Sequence, residues 1–319
     1  MDFFALLGMV ATLFLLLITG YLCRRIGLVD DHSAKKFSRL IIEIGQPALI
    51  VSALINAEYS QENLRIVPVV FGVSLLLHVF FAVFAYFTAK ALRDPGERKM
   101  TEYSVVFANC GFIGLPILQS MFGSFGLFLG VFNFVTFNLL IWTWGIAVLG
   151  RGREDIRLTV RRALVNFGTI PGAIGIGLYL SHLPLPSFVY TFSSYLANLC
   201  TPISVIVTGA LIATKPLKSL FFDGKLYYQS FLKLIALPLL TALLAKGVTV
   251  LFHVPDAETW ILFCTVVAAL PSASVVTMMA ERYGLERADF ASQAVGLSSM
   301  LSLGTLPLTV WFAHLIAGI

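Results

Sequence analysis

The sequence predicts an all-α integral membrane protein of about ten transmembrane helices, on the strength of its composition, its apolar segments and the placement of its charges. Of the 319 residues, 58% are hydrophobic and 12% are charged, and the mean hydropathy is +0.89. Soluble domains have about 25% charged residues. A water-soluble protein of this composition would expose large apolar patches, whereas a lipid-facing surface accommodates them.

Ten apolar segments are separated by short polar connections. A helix needs roughly 20 apolar residues to cross the hydrocarbon core of a bilayer. The first segment begins at Phe3, and we expect a span rather than a signal peptide because it is too long and lacks a basic start. The segments cover residues 3–23, 38–55, 66–91, 103–121, 126–149, 160–180, 188–212, 226–251, 259–280 and 290–317.

The basic residues predict the orientation. If the N-terminus is outside, 19 of the 22 Lys and Arg residues lie in or beside cytoplasmic connections. The external connections carry acidic residues such as Glu58 and Asp256 instead. Because cytoplasmic loops are enriched in Lys and Arg, both termini are expected on the non-cytoplasmic side.

The ten segments divide into two repeats of five, over residues 1–150 and 151–319. Five is an odd number, so the second repeat must be inverted in the membrane relative to the first. Pro47 and Pro202 lie in equivalent segments 155 residues apart, and Pro116 and Pro271 are separated by the same 155 residues. The sequences that follow Pro47 and Pro202 are also similar.

Prolines inside spans predict interrupted helices. Proline removes a backbone hydrogen bond and kinks or breaks a helix, so helix breaks are expected at Pro47 and Pro202. The fourth segment contains two glycines and a proline within Asn109–Pro116, and the ninth contains the run Ala268–Ser274 around Pro271. Interrupted helices at equivalent positions of two repeats are typical of a transporter's binding site.

At these residues the sequence resembles the auxin efflux carrier family, which includes bacterial malate- and malonate-type carriers and plant auxin exporters. Asn109–Pro116 is similar to the family's N-x-x-x-x-G-x-P helix, and Ala268–Gly284 resembles its ninth helix. Gly20-Tyr21 and Phe231–Pro238 also fit. The chain lacks the long central loop of the plant exporters, so it is closer to the short bacterial permeases.

The resemblance implies a scaffold domain and a transport domain, with helices 4 and 9 broken at their prolines and crossing at mid-membrane. It implies a secondary transporter of the inner or plasma membrane that binds a small organic anion at the crossover and works by alternating access. A dicarboxylate such as malate or malonate is the expected substrate. Alternatives are an exporter of auxin-like aromatic carboxylates and a sodium-coupled symporter of the bile-acid type, which has a related fold.

Broken helices suit an anionic substrate. The N-terminal end of a half-helix presents free N–H groups and a partial positive charge, which bind carboxylates without arginine. Such half-helices are expected to start near Pro116 and Pro271. Asn109 is expected either to contact the ligand or to support the unwound backbone. The candidate substrate-binding residues are Asn109, Gly111, Gly114, Pro116, Pro271, Ser272 and Ser274.

Two charged residues lie deep within spans. Ionisable residues inside the membrane are costly and usually functional, so Glu43 and Lys233 are candidates for ion or proton coupling. For Glu43 the alternatives are a proton carrier and an ion-pair partner. For Lys233 the alternative is extension of its ammonium to the cytoplasmic interface. His78 is expected to be a buried packing residue.

Other classes fit less well. An intramembrane enzyme needs a catalytic pair such as H-E-x-x-H, which the sequence lacks. A channel usually uses subunit rings or charged linings, and a receptor needs a signalling domain. No metal site is expected, since the four cysteines have no C-x-x-C spacing. No cofactor is expected, and no nucleic-acid partner, because the basic residues lie between apolar segments and are explained by membrane topology. Small residues such as Gly168 and Gly172 are expected either to mediate a homodimer or to serve packing within one chain.

Overall fold

The structure is a computed structural model that describes residues 3–57, 59–152, 165–181, 183–214, 217–283 and 285–318. In these ranges it is almost entirely helical, and the only β-type pairing is an isolated antiparallel bridge between Ala108 and Ser272. The helices of the first half are α1 (Phe3–Arg25), α2 (Asp31–Leu40), α3 (Gln46–Ile55), α4 (Gln61–Ala89), α5 (Pro95–Val106), α6 (Leu115–Trp142) and α7 (Trp144–Leu149).

The second half contributes nine further helices within the described ranges. Two of them, at residues 187–198 and 200–212, are separated by Leu199 alone. The helices are α8 (Thr169–Ser181), α9 (Ser187–Asn198), α10 (Cys200–Ile212), α11 (Leu217–Phe222), α12 (Gly224–Phe231), α13 (Leu237–Leu251), α14 (Ala257–Ala269), α15 (Ser274–Arg282) and α16 (Ala288–Ala317).

The helices confirm an all-α membrane protein. Within the described ranges, 6 helical stretches are long and apolar enough to cross a bilayer. Helix α1 has 23 residues, or about 35 Å at 1.5 Å per residue. The fourth and ninth predicted segments are broken into shorter helices, and the sixth contains the short apolar helix α8. The second segment begins earlier than predicted, because Asp30 caps a helix that starts at Asp31.

Helix α6 reverses direction at Gly123 and so supplies parts of two spans. Gly123 has φ 63° and ψ −144°, a conformation that glycine adopts without a steric penalty. A Cβ on Gly126 would lie 2.0 Å from the carbonyl oxygen of Leu118. Residues eight apart in one straight helix are about 12 Å apart, so the chain folds back here. The fourth and fifth predicted segments are therefore separate antiparallel helices.

Three prolines follow π turns. The helix is not broken at Pro47 or at Pro116, contrary to the prediction. The π turns Ile41–Gly45, Cys110–Gly114 and Leu232–Ala236 each end two residues before a proline. In a π turn an N–H donates to the carbonyl five residues back, and this extra residue moves backbone carbonyls away from the proline ring. Pro47 and Pro116 therefore lie within continuous helical backbone.

Pro202 does not open its helix either. Helices α9 and α10 are interrupted only at Leu199, which keeps right-handed helical dihedral angles. Proline is tolerated in the first turn of a helix because its missing N–H would have no intrahelical acceptor there. In place of the predicted break at Pro202, the helix has a one-residue interruption at Leu199, three residues before the proline.

We divide the helices into two groups, which contact each other where α1, α2 and α10 meet α15 and α16. The frame group consists of α1, α2–α3, α8 and α9–α10, and the crossover group consists of α4–α7 and α12–α16. In the frame group, α1 and α10 cross backbone to backbone: a Cβ on Gly20 would lie 1.9 Å from the Ile206 oxygen, and one on Gly209 2.0 Å from the Leu17 oxygen. Only glycine permits so close an approach.

Gly168 and Gly172 pack within the chain. A Cβ on Gly168 would lie 2.4 Å from Trp142, and one on Gly172 3.8 Å from Val135, both on α6. This pair of small residues is therefore covered by the same chain, and a homodimer would need another surface. The predicted division at residue 150 falls beside residues 153–164, which lie outside the described ranges, so it stays a prediction.

Candidate functional site

The two broken helices meet and pair at their interruptions. Helix α5 ends at Val106 and α14 ends at Ala269. The Asn109 N–H donates to the Pro271 carbonyl at 2.8 Å, and the Ala273 N–H donates to the Phe107 carbonyl at 2.9 Å. Backbone groups freed inside a membrane need protein partners, and here each broken segment supplies them to the other. The predicted crossover of helices 4 and 9 is confirmed.

The break in helix 4 lies earlier than predicted. The interruption covers Phe107–Asn109, and the helix resumes as the π turn Cys110–Gly114. Pro116 therefore lies more than one turn inside the second half-helix and does not start it. In helix 9 the prediction is correct, since Pro271 lies in the interruption and α15 begins at Ser274.

A buried polar network holds the crossover together. The Ser272 hydroxyl donates to the Ser104 carbonyl at 2.9 Å, and Gln229 Nε2 donates to Ser272 Oγ at 3.1 Å and to Ser104 Oγ at 3.1 Å. The Ser272 N–H donates to Ser298 Oγ at 3.3 Å. Buried polar groups must be paired in this way. These bonds give Ser272 a part in fixing the crossing, and it lines neither cavity beside Asn109.

Gln229, Ser104 and Ser298 were missed by the sequence reasoning. Each is an uncharged polar residue in or beside an apolar segment and is almost fully buried. Their polarity was the available signal, because an amide in a span is expected to find a partner. The three residues lie on three different helices and meet at Ser272, which no local pattern indicates.

The two glycines predicted to bind substrate, Gly111 and Gly114, lie in close contact with other parts of the chain. A Cβ on Gly111 would lie 2.9 Å from the Phe134 ring, and a Cβ on Gly114 would lie 2.7 Å from Leu270 Cδ1. Leu270 belongs to the interruption of helix 9. Small residues at these two positions thus let the π turn approach both α6 and the other broken helix.

Two small cavities flank Asn109, each of about 10 Å³. That volume holds at most about one water molecule. The first cavity lies between the crossover and the frame group and is lined by Phe14, Leu17, Asn109, Val205, Thr208, Ser274, Val295, Ser299 and Met300. The second is lined by Gln46, Ala108, Asn109, Cys110, Gly111, Phe134, Phe137, Ala273 and Val275.

The cavities are uncharged but adjoin helix N-termini. Ser274 is the first residue of α15, and its N-cap Ala273 forms no side-chain capping bond. Cys110 and Gly111 begin the π turn. First-turn N–H groups have no intrahelical acceptor and carry a partial positive charge. Of the candidate binding residues, Asn109 lines both cavities, Ser274 lines the first and Gly111 lines the second. The other four line neither cavity: Gly114, Pro116, Pro271 and Ser272.

Glu43 and Lys233 lie apart from these cavities. Glu43 Oε1 accepts from Arg282 Nη1 at 2.6 Å and lies 3.4 Å from Arg39 Nε. Lys233 is fully buried, and its ammonium has no hydrogen-bond partner among the described residues. It lies 5.6 Å from the centre of the Phe81 ring. It does not reach the interface, contrary to the alternative drawn from the sequence.

The surroundings of Lys233 connect it with the crossover. Its π turn packs against α5, α14 and α16. His78 also contacts Phe81, with the ring centres 5.8 Å apart, and its Nδ1 lies 2.8 Å from the Ser74 carbonyl.

No group of three or more His, Cys, Asp or Glu residues in the described ranges could hold a metal ion.

Comparison with known proteins points to one family. Residues 5–159 match the family model described as a membrane transport protein. The chain is 26% identical to an uncharacterized transporter of Methanothermobacter thermautotrophicus, over 94% of this chain and 95% of the relative. It is 24% identical to an uncharacterized transporter of Methanocaldococcus jannaschii, over 96% and 98% of the two chains. It is 21% identical to the uncharacterized transporter YfdV of Escherichia coli, over 98% of each.

Proposed function

Since the chain belongs to the membrane transport protein family of the auxin efflux carriers and is a multi-pass membrane transporter rather than an enzyme, we propose that it carries small organic anions by alternating access. The substrate carboxylate binds at the crossover beside Asn109. We further propose that the substrate is a dicarboxylate such as malate or malonate, and that both termini are non-cytoplasmic.

The observation that carries this proposal is the pair of half-helix N-termini beside Asn109. The first-turn amides of Gly111 and Ser274 can donate to a carboxylate, whereas the Cys110 N–H already donates to the Ala108 carbonyl at 2.8 Å. The partial positive charges of both half-helices favour an anion. An arginine or lysine is not required for this, which agrees with the uncharged lining of both cavities.

The size of the cavities supports a moving mechanism. A dicarboxylate is several times larger than the single water molecule that about 10 Å³ accommodates. The first cavity has frame-group residues Leu17, Val205 and Thr208 on one side and crossover residues Asn109 and Ser274 on the other. Separation of the two groups would enlarge it, so substrate binding is expected to follow a relative movement of the groups.

The test is uptake of labelled malate into proteoliposomes by the wild type, Asn109→Ala and Asn138→Ala. Asn138 is a matched control, because it is a buried asparagine whose amide donates to the Phe134 carbonyl at 2.7 Å and which lines neither cavity. We expect saturable uptake that falls by at least about ten-fold in Asn109→Ala, the effect of about 1.4 kcal/mol, and persists in Asn138→Ala.

Other results would change the proposed binding site, substrate or function. Uptake that is equal in Asn109→Ala and the wild type would remove the crossover as the binding site. Uptake of an aromatic acid such as indole-3-acetate in place of malate would select the auxin-like alternative, for which the Phe134 and Phe137 rings beside Asn109 offer an apolar wall. Absence of uptake for all carboxylates would contradict an anion carrier. Imposed proton and sodium gradients identify the coupling ion.

A further inference from the structure

One ion pair lies across the boundary between the two helix groups. Arg282, the last residue of α15 in the crossover group, donates from Nη1 to Glu43 Oε1 of the frame group at 2.6 Å. The guanidinium carbon of Arg282 also lies 5.6 Å from the centre of the Phe167 ring, just before α8 of the frame group. Both charged side chains are mostly buried, with 20% and 27% of their surfaces exposed.

The other ion pairs between helices of the described ranges lie within one group. Arg287 pairs with Asp94 at 2.6 Å and Lys225 with Glu97 at 2.7 Å, both inside the crossover group. Arg151 pairs with Glu102 in the same group. Arg24 pairs with Asp31 at 2.8 Å inside the frame group. Movement of one group against the other would leave these pairs intact and would separate Arg282 from Glu43.

The position of the pair relates it to the cavity beside Asn109. Ser274 and Arg282 are the first and last residues of a nine-residue half-helix, and a helix rises about 12 Å over these eight steps. The distribution of Lys and Arg in the sequence places this end of α15 on the cytoplasmic side. Glu43 and Arg282 therefore lie between the cavity and the cytoplasm, at the boundary that would have to open.

We propose that Glu43 and Arg282 form a gating pair that holds the two helix groups together on the cytoplasmic side and separates when the cavity opens to the cytoplasm. This inference rests on the proposed alternating-access function. Separation leaves the mostly buried Arg282 without its partner and leaves Glu43 with only the longer, exposed contact to Arg39 at 3.4 Å, so the pair favours the closed state. Water or substrate entering the gap compensates both charges, which makes the closure reversible.

The experiment measures opening without using any substrate. Val205 lines the cavity from the frame group, so a Val205→Cys thiol reports access to it. Inside-out vesicles are treated with a membrane-impermeant maleimide, and a parent without this substitution gives the background from the native cysteines. Glu43→Gln keeps the side-chain shape and removes the charge. We expect the Val205→Cys thiol to be labelled about five-fold faster in Glu43→Gln, the factor that loss of roughly 1 kcal/mol in a two-state equilibrium gives.

Asp94→Asn is the matched control. Asp94 also pairs with an arginine, but inside one group, and the hydrogen bond from Arg287 lowers the pKa of Asp94 to about 2. Because a depressed carboxyl pKa keeps the pair charged until the pH falls toward that value, Arg287–Asp94 is intact under assay conditions. Asparagine retains the capping of α5. We expect the labelling rate to be unchanged in Asp94→Asn.

Arg282→Gln provides a second test that does not depend on the folding of Glu43→Gln. If the two residues act through their mutual contact, Arg282→Gln and the double variant Glu43→Gln/Arg282→Gln should both match Glu43→Gln, since the two effects are not additive. Labelling that stays at the wild-type rate in folded Glu43→Gln or Arg282→Gln would overturn the gating pair, as would an equal acceleration in Asp94→Asn.

The two proposals fail separately. Unchanged labelling together with malate uptake that Asn109→Ala abolishes would refute the gating pair and leave the proposed function standing. Accelerated labelling without malate uptake would support the gating pair and refute malate as the substrate.

Discussion

The fully buried Lys233 is the residue whose environment differs most from what its chemistry favours. Its ammonium has an aromatic ring, Phe81, at 5.6 Å and no hydrogen-bond partner among the described residues. A cation–π contact compensates only part of the cost of burying a charge. A neutral side chain of similar volume would be at least as stable at this position. A lysine here is therefore better explained by a role in transport than by packing.

Lys233→Met tests that role. We expect a folded protein whose apparent melting temperature equals or exceeds that of the wild type, because the desolvated amine is removed. We also expect malate uptake to lose its response to an imposed pH gradient, since Lys233 is the candidate proton-coupling residue of the crossover group. Uptake with a normal gradient response would show that Lys233 is dispensable for coupling, and a large loss of stability would indicate a packing role instead.

Among the helices, the crossing of α1 and α10 depends on two glycines. The Cβ positions of Gly20 and Gly209 would lie 1.9 and 2.0 Å from backbone oxygens of the facing helix. Backbone atoms cannot move aside as the end of a flexible side chain can. Gly20→Ala and Gly209→Ala should therefore each destabilise the protein by about 1–3 kcal/mol, as overpacked cores do.

The measurement is the apparent melting temperature in detergent. Gly72→Ala and Gly247→Ala are controls, because Gly72 and Gly247 are helical glycines with nothing within 4 Å of the Cβ position. These controls should melt at or slightly above the wild-type temperature, since alanine favours the helix. Equal melting of all four variants would contradict a rigid crossing of α1 and α10.

For the whole molecule, the charge distribution predicts the direction of insertion. The ten predicted segments would put 19 of the 22 basic residues on the cytoplasmic side, so intact cells should label Asp256→Cys with an impermeant maleimide. They should label Arg93→Cys only after permeabilisation, in a Cys23→Ser background, because loops rich in Lys and Arg stay in the cytoplasm. The reverse labelling pattern would place the termini in the cytoplasm, and the gating pair would then lie on the external side of the membrane.

Much of this architecture could be predicted from the sequence. The hydrophobic segments and the proline spacing indicated the helices and the crossover, because apolar length and missing N–H groups are local properties. The exact break in helix 4 could not be predicted. Pro116 marked the region, but the π turn at Cys110–Gly114 accommodates the proline and the interruption lies at Phe107–Asn109.

The hydrogen-bond and ion-pair partners of the buried polar residues also could not be predicted from the sequence. Gln229 with Ser272 and Glu43 with Arg282 are 43 and 239 residues apart along the chain. Their meeting depends on how whole helices pack, which no local pattern specifies. The candidate site was therefore predicted in its location but not in its supporting contacts.

The hydrogen bonds that join the two broken helices have a consequence for how such a protein can diverge. Both bonds use main-chain atoms of Phe107, Asn109, Pro271 and Ala273. Every amino acid except proline offers the same N–H, and every amino acid offers the same carbonyl. The side chains of Phe107, Asn109 and Ala273 can therefore be exchanged over evolutionary time without losing these two bonds, whereas the Ser272 hydroxyl also takes part in the network that fixes the crossing. A lineage could acquire a new cargo by a few substitutions around an inherited backbone frame.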